Sequence, residues 1–346
     1  MDFHVLSSIS ILFIFLSCTV IIWIAGVKIT RAVDAITTHF KLGEAFGGMV
    51  FLAIVTNLPE IAITTVAAYH HDYDIAVSNL LGGVAIQTVV LVLIDVFGVG
   101  RSAPLTLKGH SRILILEGVA LIMILTLVMM AKQFPAQLVF FRTTPIEWLI
   151  LIIWLGSVYS ISRLAKSEET VLEQRQIRLS KLRHPKSPFL GGIQSAMLVL
   201  AVGAVLTLGA GWALEYSGEI LSKRWHISGV LFGGTILALA TALPEISTGI
   251  ASAKMRDYNM AVSDIFGGNA FLPVLFLVAS IISGEAVIPT LSNSDMYLTG
   301  LGIILTCIYM VGMVLHARRQ VFQMGIDSFC VLLTYLMGLI GLWAIA

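Results

Sequence analysis

Charge is what this chain has least of. Its 21 Lys and Arg and 20 Asp and Glu make up 12% of 346 residues, about half the roughly 25% of a soluble domain. The two signs nearly cancel, leaving a formal charge of +1, so there is no basic footprint for a nucleic acid. Cysteine is equally sparse. Cys18, Cys307 and Cys330 fall in separate apolar stretches with no CxxC or His-bearing spacing, which excludes a disulfide scaffold and leaves them as packing or lipid-facing residues. The chain begins Met1-Asp2-Phe3-His4. With no basic n-region before its first apolar segment and no small-residue cleavage pattern after it, that segment reads as a retained span. An HExxH motif, a pair of facing aspartates and a serine-nucleophile arrangement are also missing, so no intramembrane enzyme and no cofactor is expected.

What is abundant is apolar length. Hydrophobic residues make up 58% of the chain, and they fall in runs of about twenty, each enough to cross a hydrocarbon core of about 30 Å as a helix. Ten runs are centred near Phe15, Ala53, Ile86, Ile122, Ile153, Val202, Ala240, Pro273, Leu305 and Tyr335. Placing the N-terminus outside puts seventeen of the 21 basic residues on the cytoplasmic face and leaves Lys132, Arg142, Lys223 and Arg224 on the other, as the excess of Lys and Arg in cytoplasmic loops requires. Trp148, Trp212, Trp225 and Trp343 fall near span ends, as interfacial anchors do. The expected fold is an all-α integral membrane protein of ten transmembrane helices with both termini outside, embedded in lipid.

The longest hydrophilic stretch divides the chain nearly in half, giving a first five-helix half at 1–163, a basic cytoplasmic linker at 164–189 and a second half at 190–346. Ser167-Glu168-Glu169 reads as the start of a short surface helix that Pro185 would end. The linker is either a solvated connector or a surface for anionic lipid or a regulatory partner.

Comparing the chain with itself reveals a gapless repeat. Thr56-Asn57-Leu58-Pro59-Glu60-Ile61 recurs 185 positions later as Thr241-Ala242-Leu243-Pro244-Glu245-Ile246. At the same offset Asp72-Tyr73 matches Asp257-Tyr258, Ala76-Val77-Ser78 matches Ala261-Val262-Ser263, and Gly82-Gly83 matches Gly267-Gly268. The repeat occupies 43–97 and 229–280. In the ten-span topology the two copies run in opposite directions, the arrangement that packs transporter halves about an in-plane pseudo-two-fold axis. Glu60 and Glu245 are therefore expected to face each other near the midplane.

An ionised side chain at a helix centre costs about 2.5–3.5 kcal/mol on insertion scales, and two adjacent ones repel. A bound cation offsets both costs; protons do so when it leaves. A structural alternative is a protonated glutamic acid hydrogen-bonded in the bundle. Pro59 and Pro244 remove amide donors, which frees the carbonyls of Val55 and Ala240 and kinks each helix. Oxygen ligands of that kind suit hard cations, and Thr56, Asn57 and Thr241 add side-chain oxygens on the same turns. On the partner helices Asn79, Gly83 and Gln87, and in the second copy Asp264, Gly268 and Leu272, recur every four residues and so share one face. The glycines serve close helix packing, ion access or both. Asp264 is either a ligand or part of an access funnel. His70 and His71, beside Asp72 and Asp74, form either a polar turn or a weak pH- or metal-sensing cluster. Asp95, Glu117 and Glu147 lie near helix ends, where solvation is expected.

These paired Pro-Glu segments resemble the alpha-repeats of the cation/calcium exchanger superfamily. The resemblance implies ten helices in inverted halves and alternating-access antiport of Ca²⁺ for Na⁺, or for H⁺ or K⁺ in sister branches. It also implies ion ligation by Thr56, Asn57, Glu60, Gln87, Thr241, Ala242 and Glu245. The chain departs from that family where its partner helices carry serine and a terminal amide or acid: here they read Gly82-Gly83-Val84-Ala85-Ile86-Gln87 and Gly267-Gly268-Asn269-Ala270-Phe271-Leu272, and Ala242 replaces a serine. Several sodium ligands are thus absent, which keeps proton coupling and a non-transporting cation sensor open beside Ca²⁺/Na⁺ exchange. The compact chain suggests a prokaryotic plasma membrane.

Overall fold

The computed structural model describes residues 6–40, 52–109, 111–133, 139, 141–176, 192–316 and 318–345, without the side chains at 34, 37–38, 52–53, 102 and 165–176. The first half comprises α1 (Ser8–Phe40), α2 (Leu52–Thr56), α3 (Leu58–His70), α4 (Tyr73–Leu93, extended by a π turn at Ile94–Val99), α5 (Leu105–Lys108), α6 (Arg112–Ala131) and α7 (Pro145–Gln176). The second comprises α8 (Gly192–Arg224), α9 (Gly229–Leu231, leading into a π turn at Phe232–Leu237), α10 (Ala238–Thr241), α11 (Leu243–Lys254), α12 (Tyr258–Phe271), α13 (Leu275–Ser283), α14 (Asn293–Leu315) and α15 (Ile326–Ile345). A two-residue antiparallel ladder, β1 (Gln320–Val321) with β2 (Met324–Gly325), joins the last two helices.

Among the described residues eight helical segments are long and apolar enough to cross a membrane, and the pair α9–α10 and α11, bent by 44°, makes a ninth if taken as one span. The expected span near Ala53 corresponds to the broken pair α2 and α3, whose preceding residues lie outside the description. The separate helix expected to start at Ser167 does not form. α7 runs unbroken from Pro145 through Gln176, because nothing in Arg163-Leu164-Ala165-Lys166-Ser167-Glu168-Glu169 breaks a helix and most of it favours one.

Two spans form the centre. In α4 with its π turn, and in α12–α13, 78% of the apolar window is buried, against 28–56% for the other six straight spans. α1 and α8 pair along their lengths at the periphery, and many of their side chains, among them Phe13, Trp23, Leu198 and Val205, remain exposed, as lipid-facing helices require.

Residues 185 apart make corresponding contacts across the halves. A β-carbon on Gly26 of α1 would stand 2.6 Å from Pro244 Cβ, and one on Gly211 of α8 would stand 2.7 Å from Ala62 Cβ and 3.3 Å from the Pro59 carbonyl oxygen. Each peripheral helix thus rests on the Pro-Glu turn of the other half. Ser78 Oγ donates to Asp295 Oδ1 at 3.0 Å, and Ser263 Oγ donates to Glu117 Oε1 at 2.7 Å. The serine of each Ala-Val-Ser triplet is therefore bonded to a buried acid of the opposite half.

The carboxylates expected to be solvated at helix ends are buried instead: Asp95 is 0% exposed, Glu147 1% and Glu117 2%. Asp95 accepts from Leu105 N at 2.8 Å, Gly325 N at 2.7 Å and Ser328 Oγ at 2.7 Å. Glu147 accepts from Ser280 Oγ at 2.6 Å and Thr144 N at 2.7 Å. These acids lie near helix ends, but segments of the other half cover them, and protein donors replace the water.

At the α4 crossing the Gly82 α-carbon abuts the Gly234 backbone so closely that no β-carbon fits there. Gly82→Ala should overpack this contact and cost about 1–3 kcal/mol, lowering the thermal unfolding midpoint of the purified chain in detergent. Gly300→Ala, with no atom within 4 Å of the added carbon among the described residues, should leave the midpoint unchanged or slightly raised. Equal midpoints for both variants would contradict the contact.

Candidate functional site

Both Pro-Glu segments break where their sequences demand it. Proline cannot donate to the carbonyl four residues back, and it is accommodated near the start of a new helix, where that donor would be unsatisfied anyway. α2 accordingly ends at Thr56 and α3 restarts at Leu58, with Asn57 between them. In the second copy α10 ends at Thr241 and α11 restarts at Leu243, with Ala242 between. Glu60 and Glu245 therefore sit in the first turn of α3 and of α11. Their carboxylates lie close to unpaired amides at a helix N-terminus, where negative charge is favoured.

Glu60 is 0% exposed and Glu245 1%. None of their four carboxylate oxygens has a hydrogen-bond partner among the described residues. The Thr241 hydroxyl stands beside the Glu60 carboxylate but points its proton at the Ala238 carbonyl, 3.1 Å away. Glu245 lies within electrostatic reach of both Glu60 and Asp264. The two glutamates, contributed by different halves, are thus neighbours in the interior.

The partner helices close this space from both sides. A β-carbon on Gly268 of α12 would lie 3.1 Å from Asn57 Nδ2 and 3.7 Å from Gln87 Oε1. A serine there, as in the exchanger pattern, would project into the same gap. At the corresponding position of the first copy, a β-carbon on Gly83 of α4 would lie 3.4 Å from Leu272 Cδ1. Leu272 is fully buried, so an apolar side chain fills the place opposite Gln87. Asn269 fastens the two central helices together by donating to the Val84 carbonyl at 3.3 Å and Thr88 Oγ1 at 3.2 Å.

Asp264 accepts a hydrogen bond from Thr248 Oγ1 at 3.2 Å, while its Oδ1 has no partner among the described residues. It lies within electrostatic reach of Glu117 on α6 as well as of Glu245. A file of buried carboxylates thus runs from Glu60 through Glu245 and Asp264 to Glu117. At the position equivalent to Asp264 in the first half stands Asn79, fully buried, with both side-chain polar atoms unpartnered among the described residues. Val55, Thr56 and Ala240 are buried on the turns leading into the breaks.

The central group therefore collects Glu60, Glu245, Thr241, Asn57, Gln87, Gly268 and Asp264, with Thr56, Val55 and Ala240 on the adjoining turns. It leaves out the His70-His71 turn, where both rings are exposed and His71 Nδ1 shares a 2.7 Å hydrogen bond with the Tyr73 hydroxyl. Sequence reasoning missed Glu117 as a member of the buried file. It also missed Glu215 on α8, which is 1% exposed and has no partner for either carboxylate oxygen among the described residues. A signal was present in the four-residue spacing of Thr207, Gly211, Glu215 and Glu219.

Comparisons with known proteins fit this arrangement. Residues 9–161 and 195–344 match the family model described as sodium/calcium exchanger protein. The chain is 30% identical over 261 residues to the inner membrane protein YrbG of Escherichia coli (strain K12), covering 75% of this chain and 76% of that one. The fold resembles the crystal structure of the H⁺/Ca²⁺ exchanger CAX, with a TM-score of 0.70 at 12% identity over 95% of this chain and 82% of that one. It also resembles the sodium-calcium exchanger NCX_Mj, with a TM-score of 0.60 at 14% identity over 98% of this chain and 99% of that one. Two matched halves, each containing one Pro-Glu break and one central glycine-bearing helix, place the chain in the sodium/calcium exchanger protein family of membrane cation antiporters.

Proposed function

We propose that this chain carries Ca²⁺ across the membrane in exchange for protons by alternating access. In this reading it has ten spans in two inverted halves, with both termini outside and residues 164–189 linking the halves on the cytoplasmic side. The observation that carries the proposal is the pair Glu60 and Glu245: fully buried, contributed by different halves, and without a hydrogen-bond donor among the described residues. Two carboxylates neutralise one divalent ion, and hard oxygen ligands suit Ca²⁺. Thr56, Asn57, Gln87 and Thr241, the carbonyls of Val55 and Ala240, and Asp264 complete the ligand set, while Pro59, Pro244, Gly83 and Gly268 shape the space around it. When the ion departs, two protons restore neutrality at no cost in ligands.

Sodium supports a second reading. The Thr241 hydroxyl beside Glu60 and the amides Asn57 and Gln87 around Gly268 are neutral oxygen donors of the type a monovalent ion takes. Against it stand Leu272, Gly83 and Gly268, which supply no side-chain oxygen where the family pattern has one. Asp264, a third buried acid within electrostatic reach of Glu245, favours protons, since a proton neutralises a carboxylate without further ligands. The bacterial relative YrbG is consistent with a prokaryotic inner membrane.

Glu60→Gln and Glu245→Gln should each reduce Ca²⁺ flux into proteoliposomes to the background of empty vesicles, with elution profile and yield close to wild type. Glutamine mimics a protonated glutamic acid, so a purely structural glutamate would tolerate the change, and wild-type flux in either variant would remove the site.

Ca²⁺ uptake driven separately by a proton gradient and by a sodium gradient distinguishes the counter-ions. A proton gradient should drive uptake with sodium absent from both sides. Uptake only with sodium would establish the second reading, and calcium binding without flux under either gradient would identify a sensor.

A further inference from the structure

The face of α8 that rests on the first Pro-Glu turn continues beyond it. Thr207, Gly211, Glu215 and Glu219 recur every four residues and so line one stripe of the helix, with Gly211 seated on Pro59 and Ala62. One carboxylate oxygen from each of Asp72, Glu215 and Glu219 lies within 4.8 Å of the other two. Asp72 occupies the turn between α3 and α4, and it and Glu219 are half-buried. Glu215 is the innermost of the three at 1% exposure, and both of its oxygens lack a hydrogen-bond partner among the described residues. Lys223 is the cation paired with the group among the described residues, bonded to Glu219 through a side chain that is 67% exposed. Three carboxylates against one ammonium leave a net negative charge around a buried, unpartnered acid, which repulsion and lost hydration both penalise. Burial and the neighbouring Glu219 accordingly push the Asp72 carboxyl above its ordinary range.

We propose that Asp72, Glu215 and Glu219 form a second divalent cation site, separate from the Glu60–Glu245 pair and at the opposite end of α3 from its proline break. Its ligands are all hard oxygens, with no imidazole or thiolate, so it selects Ca²⁺, Mg²⁺ or Mn²⁺ rather than Zn²⁺ or Cu²⁺. Two half-buried carboxylates leave room for water to complete the coordination shell. The ion displaces Lys223 from Glu219 on binding. The residue equivalent to Glu215 in the first half is Thr30, whose hydroxyl donates to the Gly26 carbonyl at 3.0 Å. Among the described residues the three-carboxylate cluster lies at one end of the molecule, the outer one in the proposed topology. Its use as a staging point for the transported ion rests on the exchange reading above; the binding itself does not.

The test is equilibrium binding of radioactive calcium to the full chain in lipid nanodiscs, carried out in a Glu60→Gln/Glu245→Gln background to silence the central pair. That background should retain one saturable ion per chain, and adding Glu215→Gln and Glu219→Gln should abolish it. Asp72→Asn, a change in a half-buried turn that folding tolerates, should weaken it by about tenfold or more through loss of one charged ligand, while Lys223→Gln should tighten it. No saturable calcium in the background chain, or binding unaffected by the Glu215, Glu219 and Asp72 changes, would overturn the site. Failure of the exchange reading would appear as absent flux in the unmutated chain and leaves this binding measurement intact.

Discussion

Two carboxylates buried side by side without a donor among the described residues are the constraint around which this protein is arranged. Ionised and unpaired, each would cost several kcal/mol in an interior that holds little water, and their mutual repulsion adds to that. The described side chains leave the cost uncompensated: Thr241 stands beside Glu60 yet donates elsewhere. An arrangement of this kind persists only if something mobile and positive visits it. The helix N-termini at Pro59 and Pro244 lower the cost in part, because the helix dipole favours negative charge there, and the same prolines mark the breaks between α2 and α3 and between α10 and α11.

The other buried acids show what the protein does when a carboxylate is structural. Asp95 collects three donors, Glu147 at least two, and Asp295 caps α14 through Ser292 while accepting from Ser78. Each such acid ties one half to the other or a loop to a helix, and each is satisfied. Glu60, Glu245 and Glu215, which have no partner among the described residues, contrast with these acids, and that contrast is what the two proposed cation sites rest on. It also shows that the halves have diverged in chemistry while keeping their backbone correspondence. Asp264 answers to Asn79, Leu272 to Gln87 and Glu215 to Thr30.

The repeated Pro-Glu turn made much of this legible in the amino-acid order. A proline forces a break wherever it falls in a helix interior, and an acid in an apolar run is too costly to be incidental, so both breaks and both glutamates could be located from sequence. Four-residue spacing put Gly83 on one helix face with Gln87, and Gly268 on one face with Asp264, whereas the nearness of Asn57 and Gln87 to Gly268 was implied only by the family resemblance. What stayed hidden depended on contacts between distant segments. Nothing local to Asp95, Glu117 or Glu147 reveals that another half covers a helix end, so position near a terminus was a poor guide to solvation. The run past Ser167 looked like a fresh helix start because its acidic residues suit a first turn, but helix-forming residues on both sides let α7 continue. Glu215 was legible only as part of a stripe on α8, and its importance depends on Asp72 arriving from a turn 143 positions earlier.

The most direct measurement of the central claim is the anomalous difference density of a calcium-soaked crystal. The account predicts a strong peak between the Glu60 and Glu245 carboxylates, within about 2.3–2.6 Å of an oxygen from each. Those carboxylates free of any peak while calcium is seated elsewhere in the interior, or turned away from each other toward lipid, would contradict it.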